Sequence, residues 1–596
     1  MSIANSNPAD QSAAPRGEWL RAELRRLRPA YRQAIGMALC INTLGLLTAI
    51  FSLQVYDRVV AHAGYNSLVA MVLGMVIVIV IDYMLRTGRA LLLQRMGGQI
   101  EVHVARVVFE RLIRLPAVEL ERRSPAFWQG TFRDIELVRS TCSGATAMLL
   151  IDLPFLLLSL GLIALIAWPV FPISVAAVVA FMILAWWSGR SVRDNAEREK
   201  QRVISRDVAL AELASARMAL KSLGAGEAAA MRWEKHYAHW MTESLERSRE
   251  SDRYRDIANS MTTINMVATT SIGALAILSQ MMTMGALIAA NILAGKLVAP
   301  LVQLVGQWRS WGHYLAARKR LDDLMEIPLE RELSGISLPR PKGVLKLDTV
   351  EFSYPGSKAN QVDKLSGQLG PYGLHAIIGA NGSGKTTLLK LLRGLYTPHA
   401  GRVLIDDADI AQFSHRDLSR WVGYLPQHVQ LVSGSIRDNI ALSDPSVDDQ
   451  KIIRAAQIAC AHEFVIDLPD GYATEMGEAG SRFSGGQRKR IAIAQALLHD
   501  PPVLLLDELT SDLDRAAEQA FIASLKSLAS DHTVIVVTHS PALLTQCNGI
   551  LLMDKGRIAM AGPAAQVLPK IGLAPALTPP AQVGSTSQTG GARHAA

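Results

Sequence analysis

The sequence predicts a multi-domain membrane protein: an all-α domain of six transmembrane helices, followed by an α/β domain. Three observations predict it. Of the 596 residues, 49% are hydrophobic and only 19% are charged, too apolar for a disordered chain and high for a wholly soluble one. Six apolar runs, each about the length that crosses a bilayer, fall within the first 308 residues. From about residue 344, short β-branched runs alternate with helical segments, as they do where strands and helices take turns.

The first 33 residues are polar and Arg-rich and read as a cytoplasmic N-terminal tail without a cleavable signal. The spans are expected near 34–56, 66–86, 145–168, 170–188, 261–282 and 285–308, within a membrane domain covering 34–325. They pair as three hairpins. Pro169 and Pro172 mark the turn between the third and fourth, and Thr283–Gly285 the turn between the fifth and sixth. The two long segments between hairpins carry the positive charge. Residues 87–144 alone hold nine arginines, whereas the short turns hold only Arg58. Basic loops stay in the cytoplasm, so both termini and both long segments are expected inside. The net charge of +8 is then explained without a nucleic-acid partner. The four cysteines are far apart, with no zinc or CxxC spacing, and read as ordinary thiols.

Both long segments have few helix breakers and read as membrane helices continuing into the cytosol. Phe127, Trp128 and Trp233 stand among charges near their tips, at 125–134 and 224–236, and are candidate docking anchors. Asp152 and Lys296 lie at membrane depth, where ionisable groups line a path or satisfy one another. Residues 326–343, with Pro328, Pro339 and Pro341, read as a linker, and 344–570 as the α/β domain. Residues 571–596, rich in Pro, Ser, Thr and Gly, read as a disordered tail.

GANGSGKTT at 379–387 carries the strongest chemistry: Gly379, Ala380, Asn381, Gly382, Ser383, Gly384, Lys385, Thr386 and Thr387. It fits G-x-x-x-x-G-K-[ST] between a strand-like run and a helical one. The glycines let backbone N–H groups wrap a phosphate, Lys385 supplies a cation for the β- and γ-phosphates, and the Thr386 hydroxyl can ligate Mg²⁺. The domain is therefore expected to be an α/β P-loop nucleotide-binding domain. VLLLDE at 503–508 ends an apolar strand in two carboxylates. Asp507 is placed for the Mg²⁺ shell, and Glu508 to orient and deprotonate the attacking water. Ser484, Gly485, Gly486 and Gln487 open a helix and offer a second anion site or an ordinary N-cap.

Together these motifs resemble the ATP-binding cassette ATPases. The resemblance implies that Tyr354 in FSYPG stacks on adenine. It implies that Gln427 in YLPQ senses Mg²⁺, the water and the membrane domain, and that His539 in VVTHS contacts the γ-phosphate. SDLD at 511–514 matches the D-loop, and TEMGEAG at 474–480 the segment with which exporters feel their membrane domain. Three residues depart from the usual pattern, namely Phe483, Leu509 and Asp512. ATP and Mg²⁺ are the implied cofactors. One phosphate loop and one SGGQ segment per chain imply that ATP is sandwiched between two chains, as a homodimer or with a hetero-partner.

The order of the two domains resembles exporters of the six-helix type, and in finer detail the ATPase-permeases of type I protein secretion. LQVYDRVV (53–60), FRDIELVRS (132–140), DLPF (152–155) and GALIAANILAGKLVAPLVQL (285–304) carry that likeness. It is to the short kind without an N-terminal peptidase-like domain. It implies a polypeptide cargo with a C-terminal signal, a periplasmic adaptor (membrane fusion) protein, an outer-membrane tunnel protein, and a place in the bacterial inner membrane among its lipids. The alternative is a generic half-size exporter of lipid, drug or small peptide.

Overall fold

The computed structural model describes residues 17–61, 64–330, 339–357, 359–508 and 515–572. The first sixteen residues, the centre of the expected linker at 331–338, the SDLD segment with Leu509 and Asp512, and the expected disordered tail from 573 onward lie outside the described residues. The chain divides into two compact units. One holds the chain up to Leu115 together with Glu119–Leu329; the other holds Pro116–Val118 and the chain from Glu330.

The first unit is all helix. Its elements are α1 (Glu18–Arg26), α2 (Arg28–Gln54), α3 (Tyr65–Ile113), α4 (Ala117–Arg122, whose first two residues count with the other unit), α5 (Pro125–Ser143), α6 (Ala145–Asp152), α7 (Leu156–Ile166), α8 (Phe171–Ser215), α9 (Arg217–Ser222), α10 (Gly226–Leu278) and α11 (Met284–Glu326). Part of the expected tail is therefore ordered: α1 precedes the first span. Six stretches are long and apolar enough to cross a membrane: Arg28–Val60, Tyr65–Ile113, Pro125–Ile166, Trp168–Arg190, Gly226–Leu278 and Met284–Trp308. Helix α3 runs 49 residues without interruption, on the order of 70 Å at the α-helical rise. That is more than twice a bilayer core, so the apolar run and the charged stretch after it form one rod.

Proline sets the breaks. Pro154 sits in a 3₁₀ turn, Leu153–Phe155, between α6 and α7. Pro169 and Pro172 occupy first-turn positions where a missing N–H is harmless. Thr283 caps α11 by accepting from the Ala286 N–H at 3.1 Å. Gly189 lets α8 approach α11 closely, since a Cβ there would lie 2.9 Å from the Trp308 ring. Leu93, Met96, Ile100 and Val104 of α3 share one core with Tyr314 and Leu321 of α11.

Ionisable groups in this unit find partners inside it. Asp152 accepts from Arg89 at 2.6 Å and from Asn42 at 3.2 Å. Lys296 donates to the Gly45 carbonyl and, at 2.8 Å, to the Thr48 hydroxyl. Asp152 and Lys296 thus anchor separate helix contacts rather than each other. Asp57, on a π-helical turn (Val55–Val60), accepts from the Thr283 hydroxyl at 2.7 Å and the Gly285 N–H at 2.9 Å. Trp128 packs against the core of this unit, beside Arg123 and Phe127. Trp233 stacks on Tyr237 one turn further along α10.

The second unit carries two sheets. Strands β1 (Leu345–Phe352), β2 (Val362–Leu369), β4 (Ala400–Ile405) and β5 (Ala408–Asp409) form an antiparallel sheet in the order β2-β1-β4-β5. The other sheet runs β10-β9-β3-β8-β7-β6, with β3 (Gly373–Gly379), β6 (Val422–Leu425), β7 (Val503–Asp507), β8 (Thr533–Val537), β9 (Gly549–Asp554) and β10 (Arg557–Pro563). All its pairings are parallel except β9 with β10. β7 and β8 are buried at every position, as central parallel strands covered on both faces must be. The carboxyl ends of the parallel strands β3, β6, β7 and β8 lie at one edge of the sheet, where such folds bind ligands.

Candidate functional site

The phosphate loop leaves the end of β3 and enters helix α12 (Lys385–Leu392). Gly384 caps that helix at φ 100°, a left-handed conformation that disfavours a side chain. A Cβ there would also lie 2.5 Å from the Gln361 carbonyl oxygen. At Gly379 a Cβ would strike the backbone carbonyl of Met553. The path of the loop therefore requires glycine at both positions. Lys385 is buried and donates to the carbonyls of Gly379 and Ala380 at 2.9 and 3.0 Å. Its ammonium is held across the loop's own backbone.

A cavity of about 370 Å³ opens here, lined by Gln361, Asn381, Gly382, Gly384, Lys385, Thr386, Thr387, Gln427 and Glu508. Gln427 follows β6 and donates from Nε2 to Glu508 Oε2 at 2.7 Å. Glu508 follows β7 with φ 48°, strained for a residue with a side chain. Its N–H is fixed by the Val537 carbonyl at 3.0 Å, and Lys489 donates to its carbonyl at 3.1 Å.

Asp507 is only 1% exposed, and neither carboxylate oxygen has a hydrogen-bond partner. Burial pushes this carboxyl above the ordinary aspartate range. The neighbouring Thr386 hydroxyl favours the charged form without completing a hydrogen bond, Glu508 adds to the rise, and Lys385 opposes it. A buried carboxylate with two free oxygens, beside a threonine hydroxyl, fits a hard divalent cation that prefers oxygen ligands.

The remaining sequence-predicted residues are not all in that cavity. Ser383 is buried with an unpartnered hydroxyl. Tyr354 meets the loop helix through its hydroxyl, 3.0 Å from Thr387 Oγ1, and packs edge-on against Phe352 and Tyr396. His539 is exposed just past the end of β8. Ser484 caps helix Gly485–Leu497 in a reciprocal box with Gln487, at 3.3 and 3.0 Å, and is exposed. Ser484 to Gln487 do not line the cavity. Phe483, the aromatic departure from the usual pattern, is simply buried in the core.

Two contributors escape sequence reading. Gln361 binds the Gly382 carbonyl at 3.0 Å from a strand start more than twenty residues away. Lys489 looks like one more basic residue in FSGGQRKR, yet it is 5% exposed and points at the backbone of Glu508. Only an invariant Lys after the SGGQ run, seen across relatives, could have singled it out.

Comparison with known proteins agrees with both halves. Residues 362–511 match the family described as ABC transporter, and residues 34–301 match ABC transporter transmembrane region. The leukotoxin translocation ATP-binding protein LktB of Mannheimia haemolytica is 27% identical over 544 residues, covering 91% of this chain and 77% of LktB. LktB of Bibersteinia trehalosi is 28% identical over 550 residues, with the same shares. The structure of a bacterial Atm1-family ABC exporter with ATP bound superimposes with a TM-score of 0.80 at 24% identity, covering 92% of this chain and 97% of that one. At that identity the likeness is one of fold. With six stretches long and apolar enough to cross a membrane, a glycine-dependent phosphate loop and both halves matched in one chain, this protein belongs to the ABC transporters and is an ATP-binding ATPase coupled to transport, with the fold of an exporter.

Proposed function

We propose that this chain is the ATPase-permease of a type I secretion system in the bacterial inner membrane, moving a polypeptide that carries a C-terminal signal. The observation that supports it most is the match to leukotoxin translocation proteins along 91% of the chain. Residues 34–325 are the translocation domain and 344–570 the cassette, both termini and the cassette being cytoplasmic. A periplasmic adaptor and an outer-membrane tunnel continue the path, because a long polypeptide outreaches any cavity in six-helix bundles.

Two copies form the working unit. Ser484, Gly485, Gly486 and Gln487 lie outside the cavity that holds Lys385, so a phosphate in that cavity would be met by these residues of a second copy. Within one cassette Tyr354 receives the adenine, and Lys385 with the loop N–H groups receives the phosphates. Glu508, steadied by Gln427, takes the proton of the attacking water, and His539 approaches the γ-phosphate. Asp507, Thr386 and Gln427 would hold Mg²⁺, which supplies charge neutralisation for the transferred phosphoryl group.

The test is a deletion strain. Its extracellular proteome should lack one or a few large proteins, which accumulate or are degraded inside the cell. An unchanged secreted proteome with altered lipid or drug sensitivity would replace this reading with the small-substrate exporter.

A further inference from the structure

Helix α1 is amphipathic in an uncommon way. Leu20, Glu23 and Leu27 are buried, and Trp19 donates to Asp322 of α11 at 2.7 Å. Glu23 sits 3.6 Å from His103 of α3. The helix is thus seated on the first unit by one side. Hydrogen bonds run on through Leu27, from its N–H to the Glu23 carbonyl and from the Tyr31 N–H to its own carbonyl, both at 3.1 Å. Pro29 lies in the first turn of α2, so the two helices join at a break in the ladder.

Arg21 and Arg25 of α1, and Arg28, Arg32, Ile35 and Leu39 of α2, are all exposed. A step of four places Arg21 and Arg25 on one face of α1, and steps of four and three place the other four on one face of α2. None of the four arginines forms an ion pair among the described residues. Glu18, one turn before Arg21, is the acidic residue at the head of the stripe. Ile35 and Leu39 are each 47% exposed on a stretch long and apolar enough to cross a membrane. The same face carries arginine within one or two turns, about 5 to 10 Å along the axis. That distance is the depth of the headgroup layer.

We infer that Arg21, Arg25, Arg28 and Arg32 form a docking stripe for anionic phospholipid headgroups of the cytoplasmic leaflet. Arg28 and Arg32 sit at headgroup level and can snorkel onto phosphates, while Arg21 and Arg25 lie within reach of the negative surface potential. The inference rests on the cytoplasmic placement of the N-terminus but not on the identity of the cargo. Seating α1 on α11 while its arginines grip the leaflet would tie the last membrane helix to the membrane surface.

The experiment uses purified full-length protein in nanodiscs of phosphatidylcholine with and without phosphatidylglycerol. Bound lipid is counted by native mass spectrometry across a salt series. Wild type should retain phosphatidylglycerol selectively, and less so as salt rises. R28Q/R32Q should weaken that retention on the order of 25-fold, at roughly fivefold per arginine. R28K/R32K should keep it, and ATPase activity in detergent should stay at the wild-type level in both. Equal retention by wild type and R28Q/R32Q would overturn the inference. So would loss in the lysine variant, or a second protein copy cross-linking through a cysteine at position 28 in place of lipid. Secretion of the cargo is a separate readout, so a failed lipid test leaves the secretion reading untouched.

Discussion

Asp152 in the membrane unit and Asp507 in the cassette are both carboxylates in places where charge is costly, and the chain treats them in opposite ways. Asp152 is answered by Arg89 and Asn42. Asp507 is more deeply buried and is left with two open oxygens. A satisfied buried charge holds helices together. An unsatisfied one is kept ready for something that arrives. The same contrast separates Lys296, spent on Gly45 and Thr48, from Glu508, whose carboxylate is steadied by one amide yet still faces a cavity.

Glu508→Gln should sharpen that contrast most. The amide cannot accept a proton from water, so steady-state ATPase should fall on the order of 10²- to 10⁴-fold. ATP binding, followed by equilibrium dialysis, should persist. Wild-type turnover in this variant would remove Glu508 from the role of base. Asp507→Asn comes next. It should abolish the Mg²⁺ dependence of ATP binding while leaving the nucleotide-free fold at least as stable as wild type, because an unpaired buried charge is gone.

The sign with pH follows from the raised carboxyl of Asp507. A folded pKa above the unfolded value means the carboxyl costs nothing while protonated. It costs more as pH rises through the folded pKa. The thermal-shift advantage of Asp507→Asn over nucleotide-free wild type should therefore grow towards neutral pH and vanish in acid. An advantage independent of pH would mean that Asp507 is not the destabilising charge.

The membrane counterpart should behave in the opposite way. Asp152→Ala leaves the buried Arg89 guanidinium unanswered, at a cost of roughly 3 kcal/mol. Adding Arg89→Met should restore most of the loss in melting temperature. A cysteine at 152 that reacts with aqueous thiol reagents in a nucleotide-dependent manner would instead make Asp152 part of the translocation path.

Much of this was legible in the sequence because the signals are local. The phosphate loop is nine consecutive residues whose glycines are needed by backbone geometry at Gly379 and Gly384. The spans are runs of apolar residues that no soluble fold requires. What stayed hidden depends on distant pairings. Nothing in the sequence says that Asp152 meets Arg89 rather than Lys296, since helix packing decides it. Trp128 is aromatic among charges, and the sequence does not reveal that it is half-buried against the core of its own unit. The arginines before the first span read only as a polar cytoplasmic tail, and nothing in the sequence says that α1 buries Leu20 and Leu27.

Lys489 offers the smallest and most discriminating test. It lies in the helix that follows Ser484, and its ammonium donates to the Glu508 carbonyl at 3.1 Å. Glu508 needs that restraint because its backbone sits in the left-handed region. Lys489→Met removes the donor while keeping most of the buried stem. A hydrogen bond from a charged group contributes about 1.5 to 3 kcal/mol, so kcat should fall roughly 10- to 100-fold if all of it acts on the base, and less if the helix compensates. KM for ATP should hold, because Lys489 does not line the nucleotide cavity. Lys489→Arg should recover part of kcat without altering KM. A variant that loses ATP affinity in step with turnover would show that the lysine supports the phosphate loop as a whole, and the link from the Ser484 helix to the base would fall.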